Sequence, residues 1–152
     1  MKNKFNIIFI LCTIFVLSAC SPEKYKEYSD EDKFQHLIGL HVRTLIDVEA
    51  LGVTFGSLRS KQVDYVFIVP KPNFSGPEVV FRNGVPSNSR FKIIGVYGSD
   101  SFLFENSYYF HVSGIAPNAN QNLIHLIEFN ANNLLENGGL DINTFILENT
   151  NS

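Results

Sequence analysis

The chain reads as a mainly β domain, a small antiparallel β-barrel or half-open sheet with one or two short helices. Two observations predict it. From Leu40 onward the segments are short and rich in Val, Ile, Phe and Tyr, and they are separated by Gly, Pro, Asn and Ser, which is strand and turn chemistry. Within Arg90–Tyr97, Phe91, Ile93 and, past Gly95, Tyr97 alternate with Arg90, Lys92 and Ile94. That period of two marks a half-buried strand.

The first element is a leader. Met1–Lys4 is basic, Phe5–Leu17 is an apolar stretch, and Leu17-Ser18-Ala19 supplies small residues before Cys20, the layout of a secretory signal peptide over residues 1–19. Thirteen residues rise only about 20 Å as a helix, short of the roughly 30 Å hydrocarbon core, so the stretch is too short for a permanent span. The tetrapeptide Leu17-Ser18-Ala19-Cys20 resembles the lipobox of bacterial lipoproteins. The resemblance implies diacylglycerol on the Cys20 sulfur, cleavage before it and acylation of the new amino group. Two or more acyl chains hold a protein firmly to a bilayer, whereas one does so only marginally. Ser21 in place of Asp resembles lipoproteins forwarded to the outer membrane of Gram-negative hosts, where the domain would face the periplasm.

Removing residues 1–19 changes the charge. The chain has 152 residues with 12 basic and 15 acidic side chains; without Lys2 and Lys4 the remaining 133 carry net −5. Such an acidic chain lacks the electrostatic footprint of a nucleic-acid binder. With Cys12 in the leader and Cys20 acylated, no cysteine is left for a disulfide. A domain of this length buries roughly two-thirds of its unfolded surface without such a staple.

Ser21–Lys33 holds eight charged residues, one Pro and no aliphatic side chain. With Cys20 it reads as an acylated tether over residues 20–33, spanning at most about 45 Å extended and about 20 Å as a flexible coil. Ser29 is placed to cap a helix from about Asp30 to Ile38, with acids in its first turn and Phe34, Leu37 and Ile38 on one side. Gly39 ends it. The β-rich domain covers residues 34–152.

Strands are expected at Leu40–Ile46, Val53–Phe55, Val63–Val69, Glu78–Arg82, Arg90–Tyr97 and Phe102–Val112. Pro70–Pro77, with three prolines, cannot continue a central strand and reads as a loop. Asn83-Gly84 is a tight-turn pair, followed by a Pro-containing bend. Leu123–Phe129 reads as a strand, or as the start of a helix running to Glu136; the first reading continues with a short helix at Ala131–Glu136, a stop at Gly138-Gly139, and extended chain from Ile142 to Leu147. The order of strand, Asn-Gly, Pro-containing bend and Arg90–Tyr97 resembles the small Src-homology-three-like barrels of bacterial envelope proteins. That resemblance covers about Leu40–Val112 and implies a fold and a binding style.

Catalytic patterns are missing from the sequence. His36, His41, His111 and His125 include no zincin spacing, and no thiolate pair remains to hold a metal. There is no G-x-S-x-G elbow, P-loop or dinucleotide fingerprint. The expectation is a non-enzymatic protein without cofactor or metal. Its binding candidates are Phe74, an aromatic on the Pro-rich loop, and Glu78 beside it, since binding residues concentrate on loops.

Charge is unevenly distributed. Lys92 is the last basic residue, and Gly95–Ser152 carries six acids (Asp100, Glu105, Glu128, Glu136, Asp141 and Glu148). A surface of one sign steers partners of the other. The expected partners are the membrane, through the acyl chains on Cys20, and an envelope protein or cell-wall component; the alternative is an inhibitor or immunity factor that neutralises a cationic enzyme.

Overall fold

The computed structural model describes residues 25–56, 62–99, 107–114 and 123–148. The leader, Cys20, the first part of the Phe102–Val112 segment and two of the six C-terminal acids, Asp100 and Glu105, lie outside the described residues. Among the described residues there are nine strands, β1 (Tyr25–Glu27), β2 (His41–Thr44), β3 (Val48–Val53), β4 (Tyr65–Pro70), β5 (Val79–Val85), β6 (Arg90–Ser99), β7 (Tyr108–Ser113), β8 (Ile124–Phe129) and β9 (Phe145–Glu148), with one α-helix, α1 (Asp32–Gln35), and a 3-10 turn at Asn137–Gly139. They form one sheet in the order β5-β3-β4-β8-β7-β6-β2-β9, with β1 also on β6. The sheet does not close. It is the mainly β, half-open architecture expected, antiparallel except where β4 and β8 run parallel.

Short connections force the sheet to coil. Only Leu45, Ile46 and Asp47 join β2 to β3, yet the two strands are five places apart in the sheet order, about 24 Å if it were flat. Apolar side chains fill the enclosed space: Val42, Val48, Ala50, Val66, Ile68, Phe91, Ile93, Val96, Phe110, Val112, Ile127 and Phe129 form one buried cluster. Phe34 from α1, Leu37 just after it, Val85 from β5, and Leu140 and Phe145 from the C-terminal segment complete it. Leu51, Val53 and Leu126 are buried outside that cluster.

Several local expectations give way to tertiary contacts. The helix is four residues long, not nine, and Ser29 does not cap it. Its hydroxyl instead accepts from the Val96 N–H at 3.0 Å and donates to Glu27 at 2.9 Å. Gly39, at φ 93°, ends the turn and donates to the Ile93 carbonyl. Tyr25–Glu27, expected to belong to a solvated spacer, pair with Tyr97–Ser99 of β6. The segment from Tyr25 to Thr44 therefore follows one edge of β6, with α1 looped out between β1 and β2.

A bulge between Ile93 and Gly95 breaks the expected alternation in β6. Past it Val96 joins Phe91 and Ile93 in the core, and Tyr97 turns away to meet the His111 ring. Asn83 and Gly84 lie inside β5, opposite Ala50 and Glu49, and make no turn. The chain instead bends at Pro86–Ser89 and continues into β6, and Thr44 and Asp47 hold the bend. The Thr44 hydroxyl donates to the Pro86 carbonyl at 3.0 Å and accepts from the Ser89 N–H at 3.0 Å, while the Asp47 carboxylate accepts from the Ser87 N–H at 2.8 Å. Asn88 takes φ 63°, a left-handed position that Asn tolerates.

Candidate functional site

A recess lies past the carboxyl ends of the parallel strands β4 and β8. Leu123–Phe129 is a strand as expected, but Ala131–Glu136 is a run of turns and not a helix. Asparagine explains the difference, because its short side chain bonds to nearby backbone and competes with helical pairing. Asn130 Oδ1 accepts from the Asn132 N–H at 2.9 Å, and the Asn130 N–H donates to the Gly139 carbonyl at 2.9 Å. Gly139 has φ 77°, and a Cβ there would fall 2.2 Å from the Asn130 carbonyl oxygen. Asn137 fixes the far side by donating to the Phe145 carbonyl at 2.8 Å and accepting from the Leu147 N–H at 2.7 Å.

These turns wall a cleft of about 890 Å³. Its apolar floor is built from Ile68, Val69, Phe129, Leu140 and Phe145, and its polar rim from Glu128, Asn130, Asn132, Asn133 and Asp141. Tyr108 and Ser107 close one side. The lining contains two carboxylates and no Lys, Arg or His. Asp141 is held below the usual carboxylate range by the Thr144 hydroxyl, the Asn143 N–H and the Asn143 side chain. It stays ionised. The volume is in the range of sites that hold a small ligand or an anchoring side chain.

The residues singled out from sequence sit elsewhere. Phe74 is 47% exposed on the loop between β4 and β5, and its carbonyl accepts from Arg82. Glu78 is half-buried on the same loop, and its carbonyl accepts from the Thr54 N–H at 3.0 Å. Neither lines the cleft. The loop is tied down by its neighbours: Asn73 donates to Glu49 at 2.8 Å, and Glu49 also meets Lys71 at 3.3 Å and Arg82 at 3.1 Å.

His111 and His125 occupy neighbouring strands, but they project to opposite faces. His111 lies opposite Leu126, and His125 opposite Val112. Burial holds both imidazoles below their ordinary pKa, only partly offset by Glu27 at His111. Among the described residues no group of three or more His, Cys, Asp or Glu is placed to hold a metal ion.

Of the cleft residues, the sequence distinguished Glu128 and Asp141 only by their charge and Asn130 not at all. The available signal was Asn130-Ala131-Asn132-Asn133, whose side chains favour turns over helix. No family model, curated protein or solved structure matches the chain.

Proposed function

We propose that the chain is a lipid-anchored protein of the bacterial cell envelope that works by binding, and that its cleft takes a cationic segment of an envelope protein. Cys20 carries the anchor on the strength of the lipobox resemblance. The observation that supports the choice of partner is the cleft lining, which offers Glu128 and Asp141 and no positive charge. A lysine or arginine side chain would lay its stem on the apolar floor and its charged head at the rim. Phe74 and Glu78 form a secondary candidate on a separate loop.

Crosslinking in the native envelope, followed by identification of the captured protein, tests the proposal. The expected complex weakens as salt is raised and weakens further in Glu128→Lys. A ligand that co-sediments with sacculi independently of salt would replace the protein partner by a cell-wall component. The second reading, an inhibitor or immunity factor for a cationic enzyme, is favoured by the same charge pattern. It requires a one-to-one complex that abolishes an enzyme's activity. Cys20→Ala should release the protein from membranes, and unchanged retention would overturn the anchor.

A further inference from the structure

The position of β1 determines how far the domain can stand from its anchor. Were the whole of Ser21–Lys33 free, the domain could float well clear of the headgroups. Tyr25 is instead fixed at both backbone and side chain. It pairs with Ser99, and its ring packs against Tyr65 at 4.9 Å, Tyr109 at 5.1 Å, Phe55 at 6.0 Å and Phe67 at 6.1 Å. Four residues, Ser21 to Lys24, then separate Cys20 from the sheet. Fully extended, that leash lets Tyr25 lie at most about 18 Å from the acylated residue. A domain of this size has a radius of gyration of about 14 Å, so the leash is no longer than the domain is wide.

We infer that the domain lies against its own membrane, with the end of the sheet carrying β1 and Phe55 facing the lipid surface and the Pro86–Ser89 turn facing away. This rests on the proposed acylation of Cys20. The β6 strand supplies the long axis, since Ser99 opposite Tyr25 and Arg90 at its other end are nine residues apart, about 30 Å along an extended strand. The cleft lies between the two ends. On one side Ser107 accepts from the Ser99 N–H at 2.9 Å, two strand spacings, about 10 Å, from Tyr25. On the other, Phe145 pairs with Thr44, whose hydroxyl holds the Pro86–Ser89 turn.

Depth-dependent quenching tests the orientation. The acylated chain, once its leader is removed, has no free thiol, so Lys26→Cys, Gly56→Cys and Ser87→Cys each introduce a single labelling site. Each is labelled with a fluorophore and reconstituted in phosphatidylcholine vesicles that carry a nitroxide headgroup lipid. The expected result is several-fold stronger quenching at positions 26 and 56 than at 87. Adding Tyr25→Ala, with folding checked by circular dichroism, should lengthen the leash and bring the quenching at 56 down toward that at 87. Equal quenching at all three sites in an acylated protein would overturn the orientation alone. A protein that mass spectrometry shows to carry no acyl chains overturns the anchor, and the orientation with it.

Discussion

Tyr25 and Tyr65 meet edge to face, with ring centroids 4.9 Å apart and planes at 84°, although β1 and β4 are four places apart across β6, β7 and β8. In a flat sheet they would be separated by about 19 Å. Coiling brings them together, and Tyr25 then reaches Phe55, Phe67 and Tyr109 as well. A three-residue strand has few ladder bonds of its own, so these rings are the main restraint on β1.

Edge-to-face pairs contribute about 0.5–1.5 kcal/mol each beyond their buried area. Tyr25→Ala is therefore expected to destabilise the chain expressed without residues 1–20 by about 1–3 kcal/mol, measured by urea unfolding. Amide exchange of Val96 and Gly98, whose N–H groups face the β1 side of β6, should also accelerate as β1 detaches. A loss below about 0.5 kcal/mol would mean that the ring cluster does not hold the strand.

Two glycines separate backbone necessity from convenience. Gly139 has φ 77° and no room for a side chain beside the Asn130 carbonyl, whereas Gly84 has nothing within 4 Å of where its Cβ would sit. Gly139→Ala is expected to cost more than about 2 kcal/mol and to disturb the cleft wall. Gly84→Ala should be neutral or stabilise by a few tenths of a kcal/mol to about 1 kcal/mol, since it restricts only the unfolded chain. Parallel thermal melts of the two variants provide the comparison.

Glu148 lies between two arginines. Arg43 of β2 and Arg90 of β6 are directly opposite each other, a like-charge pair that is unfavourable on one sheet face. Both reach the Glu148 carboxylate of β9, Arg90 at 3.1 Å. Glu148→Gln removes the neutralising charge and leaves the repulsion, so the urea midpoint should fall, and fall further at low salt. Adding Arg90→Gln should restore part of the loss. If the single variant showed no salt dependence, the pair would be screened by solvent already.

Legibility in the sequence followed the range of the forces involved. Strand chemistry is local, and β2, β4, β6 and β8 fall within or close to the segments where Val, Ile and Phe cluster. The Pro-rich loop was equally legible, because proline lacks the donor that a ladder needs. What failed depended on distant partners. Asn83-Gly84 has turn chemistry, but pairing with β3 keeps it extended. Tyr25–Glu27 is polar enough to read as a tether until the rings of β4 and β7 are brought over it. The acidic character of the C-terminal part was visible in composition. Its gathering of Glu128 and Asp141 around one cleft required the parallel pairing of β4 with β8, which no local pattern encodes.

The acid sensitivity of the fold should come in two stages. His125 is buried on β8 and His111 half-buried on β7, and burial lowers the pKa of both in the folded state. The unfolded chain therefore binds protons first as pH drops below about 6.5. The stability these groups contribute is complete above that pH and declines below it, until the folded-state values are passed. Asp141 follows at lower pH. Its folded pKa is depressed by Thr144 and Asn143, so its contribution is present above the unfolded carboxylate range and is lost as pH falls through the folded value. Glu49 and Glu148, lowered by hydrogen bonds from Asn73 and Arg43 respectively and by nearby cations, act in the same direction. Urea midpoints measured from pH 8 to pH 3 should show a first decline beginning near pH 6.5 and a second beginning near pH 4.5. His125→Phe, which keeps an aromatic side chain at the buried position, should shrink the first decline and leave the second unchanged. A single decline confined to the carboxylate range, in both the native chain and the variant, would show that neither imidazole is held neutral by the fold.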